Sequence, residues 1–235
     1  MPITTRYVDY EQDGTVYEGF LAMPETPAKA VVLVAHAWGG QTGFEQDKAK
    51  LLAEWGYAGF AIDVYGKGQR GETTEECQAL MTPLANDRPM LQARLSTALE
   101  VAKSESGQDR AAAIGFCFGG LSVLDMARCG MDVDGVVSFH GLLNAPGNSA
   151  GRNISAKVLA LHGWDDPMAT PDDVIAFSKE MSAAAADWQL HAYGKTLHAF
   201  TNPDAQNPDF GTQYDAGADR RSHAALRDFL SEIYG

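Results

Sequence analysis

The chain has 235 residues, and 45% of them are hydrophobic, which is enough to form the buried core of an α/β domain. Its formal net charge is −13, from 18 basic and 31 acidic residues, and no Lys/Arg-rich run offsets this charge. We therefore expect no binding to nucleic acid or to an anionic membrane surface, because both are negatively charged.

The first twenty residues contain no basic segment followed by an apolar one, and no stretch reaches the roughly 20 apolar residues of a membrane span. The three cysteines are Cys77, Cys117 and Cys129, an odd number without the paired spacing of zinc ligands. We expect a reduced, cytoplasmic protein with no disulfide framework, no bound metal and no other cofactor. The sequence leaves the oligomeric state open.

Predicted strands and helices alternate along the chain. Residues 6–10 and 15–23 are expected to form an antiparallel hairpin around the turn-forming pair Asp13 and Gly14. Short apolar runs then predict buried strands, and amphipathic stretches predict the helices between them. The strands are expected at 30–36, 57–64, 110–116, 133–141, 156–163 and 187–194, and the helices at 44–55, 90–103, 120–128, 171–185 and 218–234.

This alternation predicts an α/β fold of three α/β/α layers, with helices on both faces of a mostly parallel central sheet. No linker, repeat or shift in composition divides residues 1–235, so we expect a single domain. Residues 66–87 are the least regular and are expected to form a helical excursion. Residues 141–155 are rich in Gly, Asn and Pro and are expected to form a loop.

The most specific motif is GFCFGG, residues 115–120, which lies directly between a predicted strand and a predicted helix. A Gly-x-nucleophile-x-Gly sequence at such a junction is typical of a nucleophile elbow, whose sharp turn exposes the central side chain. The flanking glycines are required because a Cβ would clash in so tight a turn. The amino terminus of the following helix favours a thiolate, which indicates Cys117 as a nucleophile. The alternative is a small buried cysteine among glycines that let strand and helix pack closely.

Two further side chains follow Cys117 in the order that such a site requires, the acid before the histidine. Asp165 and Asp166 follow the strand at 156–163, and His198 follows the strand at 187–194. Because ligands of open α/β sheets bind at the carboxyl ends of the strands, we expect these groups close to Cys117. Each has an ordinary alternative role, as a helix N-cap or as a hydrogen-bonded loop histidine. Their occurrence together in this order favours a Cys–His–Asp triad.

The sequence HAWGG, residues 36–40, follows the first buried strand. A glycine-rich loop at this place supplies one backbone N–H of an oxyanion hole, and the residue after the nucleophile supplies the second. The expected donors are therefore the N–H groups of Trp38 and Phe118. The indole of Trp38 is either a core aromatic or a wall of the pocket. His140, at the end of the strand at 133–141, is a further candidate for the pocket.

The motifs GFCFGG, HGWDDP and LHAF, with AHAWGG and FAIDVYGKG upstream, resemble those of the dienelactone hydrolases over about residues 17–230. The resemblance implies an α/β-hydrolase fold and a triad of Cys117, Asp166 and His198. It favours Asp166 over Asp165, because the acid of the family lies three residues after the glycine of this motif. It also implies a small-molecule ester or lactone as the substrate.

The sequence departs from this family pattern at two positions. Family members usually have a glutamate next to the resting thiol, where Ala37 stands here, and Glu45 further along is not a motif match. Asn202, expected in the pocket, stands where the best-known members use an arginine to hold the dienelactone carboxylate. Arg88 and Arg94 are expected either to bind an acid or to lie on a solvated helix face. Dienelactone itself is therefore not the expected substrate.

We expect a hydrolase that cleaves carboxylic esters or lactones through Cys117 and a thioester acyl-enzyme. Two alternatives stay open. One is a thioesterase or acyltransferase on the same fold, and the other is a non-catalytic module that senses redox state through the Cys117 thiol.

Overall fold

An eight-stranded sheet forms the centre of the computed structural model, which describes residues 2–235. Its strand order is β1-β2-β4-β3-β5-β6-β7-β8, with antiparallel pairing of β1 with β2 and of β2 with β4, and parallel pairing of all the others. The strands are β1 (Ile3–Gln12), β2 (Thr15–Pro24), β3 (Val31–Ala35), β4 (Ala58–Ala61), β5 (Ala111–Phe116), β6 (Gly135–Phe139), β7 (Lys157–Gly163) and β8 (Trp188–Tyr193).

The helices are α1 (Gly43–Glu54), α2 (Thr74–Asn86), α3 (Arg88–Ser106), α4 (Phe118–Arg128), α5 (Pro171–Ala183) and α6 (Ala216–Tyr234). A separate two-stranded ladder of β9 (Gln206–Asn207) and β10 (Thr212–Gln213) encloses a 3₁₀ turn at Pro208–Phe210. The α/β class and the mostly parallel sheet are confirmed. The ladder of β9 and β10 was not predicted.

The amino-terminal hairpin follows the predicted turn. Asp13 and Gly14 both have positive φ angles, 49° and 75°, between β1 and β2. Two successive positive φ angles are what a two-residue hairpin turn with the twist of the flanking strands requires. This hairpin adds two antiparallel strands to one edge of the otherwise parallel sheet.

Two apolar clusters cover the two faces of the sheet. Along β3, Val31 and Leu33 belong to one cluster and Val32 and Val34 to the other, and all four side chains are fully buried. The first cluster includes residues of α2, α3, α4 and α5, whereas the second includes residues of α1 and α6. Strands buried on both faces are continuous apolar runs, which is the pattern that predicted them. No helix within residues 2–235 is long and apolar enough to cross a membrane.

Candidate active site

Cys117 lies at the sharp turn between β5 and α4. It is a non-glycine residue with φ 55° and ψ −114°, and its backbone N–H donates to the carbonyl of Phe139 at 3.0 Å. A Cβ at Gly115 would collide with the carbonyl of Gly119, and a Cβ at Gly119 would collide with the carbonyl of Ala35. The prediction that space requires both glycines is confirmed. The turn holds Cys117 in a backbone conformation that L-residues rarely adopt, which is common at functional sites.

His198 and Asp166 form a buried hydrogen-bonded pair. Nδ1 of His198 lies 2.7 Å from Oδ2 of Asp166, and each residue is only 2% exposed. The other carboxylate oxygen of Asp166 accepts from the backbone N–H of Met168 at 2.8 Å, which fixes its orientation. Asp165 is exposed, and no hydrogen bond joins its carboxylate to His198 within residues 2–235. The geometry therefore favours Asp166 over Asp165 as the partner of the histidine.

The short ladder of β9 and β10 fixes the backbone of His198. The N–H of His198 donates to the carbonyl of Gly211 at 2.9 Å, and its carbonyl accepts from the N–H of Gln213 at 3.1 Å. His198 also forms an isolated parallel bridge with Thr212. These contacts come from a segment after His198 in the chain, so a local sequence pattern around the histidine does not reveal them.

The second ring nitrogen of His198, Nε2, lies on the side of the ring away from Asp166. Nε2 is buried and has no partner of hydrogen-bond geometry among the described residues. Both residues line the same cavity. Burial alone would lower the pKa of His198, but the nearby Cys117 sulfur and the hydrogen bond to Asp166 outweigh burial and raise this pKa to about 10.

His140 packs directly against His198 and lines the cavity. The two rings are edge to face, with centroids 5.2 Å apart, and Nε2 of His140 lies 2.8 Å from the hydroxyl of Thr201. Complete burial, and then the charge on His198, lower the pKa of His140 well below its ordinary value. His140 is therefore neutral and gives the cavity a polar wall without a positive charge. Asn202, the other expected pocket residue, also lines the cavity.

The loop after β3 lines the same cavity as Cys117. No hydrogen bond within the described part of the chain uses the N–H of Trp38 or of Phe118 as a donor. The carbonyl of Trp38 accepts from the hydroxyl of Tyr65 at 2.9 Å, and the N–H of Gly40 donates to the carbonyl of Ala37 at 3.1 Å. Hydrogen bonds of the Trp38 carbonyl and the Gly40 N–H thus hold the loop. The N–H groups of Trp38 and Phe118, the two expected oxyanion donors, make no hydrogen bond within the described residues.

Glu45 is a buried carboxylate of this site that sequence reasoning set aside. It is 2% exposed, lines the cavity, and accepts from the N–H of Ala37 at 3.3 Å and from the N–H of Thr42 at 2.8 Å. Thr42 and Glu45 form a capping box at the start of α1. The spacing Thr-x-x-Glu before an apolar stretch would have predicted this cap, although not its contact with residue 37.

A cavity of about 770 Å³ opens above Cys117. Loops after β3, β6, β7 and β8 and helix α2 contribute to its walls. The lining side chains are mainly apolar or aromatic, and they include Trp38, Phe44, Met81, Phe116, Cys117, His140, Leu142, Met168, His198, Asn202 and Phe210. The expected helical excursion of residues 66–87 therefore forms one wall of the cavity.

Arg88 and Arg94 do not line this cavity. Arg88 is 4% exposed, and its guanidinium makes two hydrogen bonds to the carboxylate of Asp125, at 2.7 and 2.5 Å. Arg94 donates to the backbone carbonyl of Val64 at 2.6 Å. Both expectations for Arg88 are wrong: it neither binds a substrate acid in the cavity nor lies on a solvated helix face. Instead it pairs with the buried carboxylate of Asp125 between α3 and α4.

The other two cysteines differ in their relation to the site. Cys77, on α2, is buried and lines the same cavity as Cys117, whereas Cys129, just after α4, does not line it. Burial raises the pKa of both thiols, which disfavours their thiolate forms. Neither thiol is therefore activated by its surroundings.

Comparison with known proteins gives the same fold across nearly the whole chain. The family model described as "Dienelactone hydrolase family" matches residues 17–234. A protein of Caenorhabditis elegans named as uncharacterized is 36% identical over 149 residues, which are 61% of this chain and 94% of that protein.

Two solved structures match 99% of both chains with a TM-score of 0.92 and 32% identity. One is named m3DLH, and the other is described as the dienelactone hydrolase-like promiscuous phosphotriesterase P91 from metagenomic libraries.

Proposed function

The chain belongs to the dienelactone hydrolase family and is a hydrolase of esters or lactones, and we propose that Cys117 is its nucleophile. Asp166 and His198 complete the proposed triad, and the N–H groups of Trp38 and Phe118 form the proposed oxyanion hole. A hydrolase is not consistent with a non-catalytic thiol sensor. A thiolate nucleophile must stay reduced, which favours a reducing compartment such as the cytoplasm.

One observation carries this proposal. The cavity brings the thiol of Cys117, on its strained turn, together with Nε2 of His198, whose other ring nitrogen is bound to Asp166 at 2.7 Å. A nucleophile beside a base that a third group orients is the arrangement needed for covalent catalysis. The raised pKa of His198 supports a protonated imidazole in the resting site.

Acylation begins when the thiolate of Cys117 attacks the carbonyl carbon of the ester. A carbon–sulfur bond forms, and the carbonyl electrons move to the oxygen, which accepts hydrogen bonds from the N–H groups of Trp38 and Phe118. The tetrahedral intermediate then expels the alkoxide, which takes the Nε2 proton of His198 and leaves as an alcohol. A thioester on Cys117 remains.

Deacylation uses the now neutral imidazole. A water molecule loses a proton to Nε2 of His198 and attacks the thioester carbonyl, and the oxyanion again lies at the N–H groups of Trp38 and Phe118. Collapse of this intermediate breaks the carbon–sulfur bond. The carboxylic acid leaves, and the thiolate–imidazolium pair of Cys117 and His198 is restored.

Intact-mass spectrometry during turnover of p-nitrophenyl acetate tests the proposal. We expect one acetyl group per chain on the wild type and neither adduct nor turnover in Cys117→Ala. Cys129→Ala removes a thiol outside the cavity and is expected to keep both. A Cys117→Ala variant that still hydrolyses the ester at the wild-type rate would refute the nucleophile assignment.

The same acyl-enzyme would support acyl transfer if an alcohol or thiol replaced water. Hydrolysis in the presence of added glycerol or coenzyme A distinguishes the two outcomes, because interception yields a new ester or thioester in place of the free acid. The proposed function predicts free acid as the main product.

A second candidate activity is cleavage of uncharged phosphotriesters, which the name of P91 states for that relative. The lining of the cavity favours this activity, because no lysine or arginine occurs among the described residues that line it. A phosphotriester is uncharged and needs no cation in its binding site. Release of p-nitrophenol from diethyl p-nitrophenyl phosphate by the wild type, and its loss in Cys117→Ala, would establish this activity at the same site.

A further inference from the structure

We propose that the cavity above Cys117 selects uncharged esters with an aromatic acyl group. It disfavours esters whose acyl group also carries an ionised carboxylate. The proposal rests on the proposed function, since it takes Cys117 and His198 as the reacting groups. It concerns the part of the substrate that does not react.

The charges along the cavity oppose an anionic substrate. No lysine or arginine occurs among the described lining residues, while two of them, Glu45 and Glu72, are acidic. Glu45 is buried and receives its hydrogen bonds from backbone and hydroxyl donors of the loop at 37–42 and not from a cation. A substrate carboxylate that entered this cavity would lose water, and the one cationic group that the proposed mechanism places there, the imidazolium of His198, is already paired with Asp166.

Two cationic side chains approach the cavity from outside, and both are already bound. The ammonium group of Lys48 packs on the rings of Phe44 and Phe116, 4.8 and 5.9 Å from their centroids, and Lys48 is not a lining residue. The guanidinium of Arg70 donates through Nε to the carbonyl of Gln41. Lys48 is thus held against two lining rings without lining the cavity itself, and Arg70 is held by a carbonyl outside the lining.

An aromatic pair stands at the edge of the cavity. The rings of Trp38 and Phe210 are stacked, with centroids 6.0 Å apart and an interplanar angle of 25°. Both rings line the cavity, and Phe210 is 42% exposed although it is a large apolar residue. The lining residues Met81, Leu142 and Met168 also offer apolar surface. These groups suit a flat apolar substituent that covers the exposed face of Phe210.

The charge part of the proposal is tested with two substrates that share one scissile bond. Ethyl phenylacetate is neutral, and ethyl (4-carboxyphenyl)acetate adds only an ionised carboxylate far from the ester. We expect kcat/KM to be at least about tenfold higher for the neutral ester, because an unpaired charge is penalised in a desolvated pocket. Equal or faster hydrolysis of the anionic ester would overturn the proposal.

The variant Glu72→Lys reverses one lining charge. The side chain of Glu72 is exposed at the edge of the cavity. Glu72→Lys is expected to move the ratio of the two kcat/KM values toward the anionic ester, and an unchanged ratio would contradict the charge argument.

Cys117→Ala separates this proposal from the proposed function: if it abolishes hydrolysis of both esters, the nucleophile assignment stands whatever the ratio is.

The aromatic part is tested by Phe210→Ala and Phe210→Leu with ethyl phenylacetate and ethyl acetate. We expect Phe210→Ala to lower kcat/KM for the phenylacetate by about three- to tenfold more than it lowers kcat/KM for the acetate, and Phe210→Leu to produce a smaller difference between the two esters. Ile175→Ala, at a residue that is 49% exposed on α5 and outside the cavity, is the matched control. An equal loss for both esters would overturn the aromatic assignment, because it would indicate a general effect on the His198 loop.

Discussion

The carboxylate of Asp166 and Nδ1 of His198 are 2.7 Å apart in a nearly solvent-free setting. In this arrangement Nδ1 donates to the carboxylate, so Nε2 is the nitrogen that faces Cys117 and the cavity. The carboxylate also stabilises the positive charge that His198 carries whenever it holds a proton at both nitrogens.

Asp166→Asn should therefore impair catalysis more than it impairs folding. The amide keeps the size of the side chain but removes the charge and permits the wrong ring tautomer, so we expect kcat to fall by about 10²–10⁴-fold. Stopped assays with p-nitrophenyl acetate measure the loss, and circular dichroism checks the fold. Asp165→Asn changes the exposed neighbour and should keep near wild-type activity. If Asp165→Asn were the damaging variant, the assignment of the acid would be wrong.

The raised pKa of His198 predicts how stability changes with pH. The pKa is near 6.5 in an unfolded chain and about 10 in the folded protein. A raised pKa means that the folded state binds the proton more tightly. The contribution of His198 to the free energy of unfolding is therefore fully present below about pH 6.5 and is lost as the pH rises through the folded value.

Urea unfolding of the wild type and His198→Gln at several pH values between about 6 and 10 measures this contribution. We expect the wild type to lose free energy of unfolding relative to His198→Gln as the pH rises. A difference that grows in favour of the wild type toward high pH would contradict the predicted sign.

Gly119→Ala should destabilise the elbow, because its Cβ would meet the carbonyl groups at the end of β3. Backbone atoms cannot move aside like a flexible side chain, so we expect a loss of about 1–3 kcal/mol or more in the free energy of unfolding. Gly194→Ala is a suitable control, because nothing lies within 4 Å of the added Cβ and its φ is not positive. Similar urea midpoints for the two variants would show that close packing does not explain Gly119.

Much of the fold could be predicted because it depends on local patterns. The buried strands are short apolar runs, as in β3, and the elbow motif lies between one such strand and α4. The motif, the order of the acid and histidine along the chain, and the parallel topology together predicted which groups meet at the sheet edge. For Asp166 and His198 the structure gives a hydrogen bond that the sequence order only suggested.

The features that escaped prediction depend on contacts between distant segments. The ladder of β9 and β10 consists of two-residue strands, which are too short to show an alternating pattern. The sequence around Arg88 does not distinguish it from other helical arginines, because its partner Asp125 lies 37 residues later in the chain. The carboxylate of Glu45 could be predicted to cap α1, but its contact with Ala37 depends on how the loop folds back.

The loop contact of Glu45 leads to a prediction for position 37. Its carboxylate is bound to the backbone N–H of Ala37, while the small side chain of Ala37 itself lines the cavity with Cys117. Ala37→Glu would add a second negative charge on the same loop. A charge there would repel the thiolate and favour a protonated Cys117, so we expect iodoacetamide to inactivate Ala37→Glu more slowly than the wild type. Ala37→Gln has a similar volume without the charge and should differ less from the wild type. Faster inactivation of Ala37→Glu than of the wild type would show that a carboxylate on this loop does not protect the thiol.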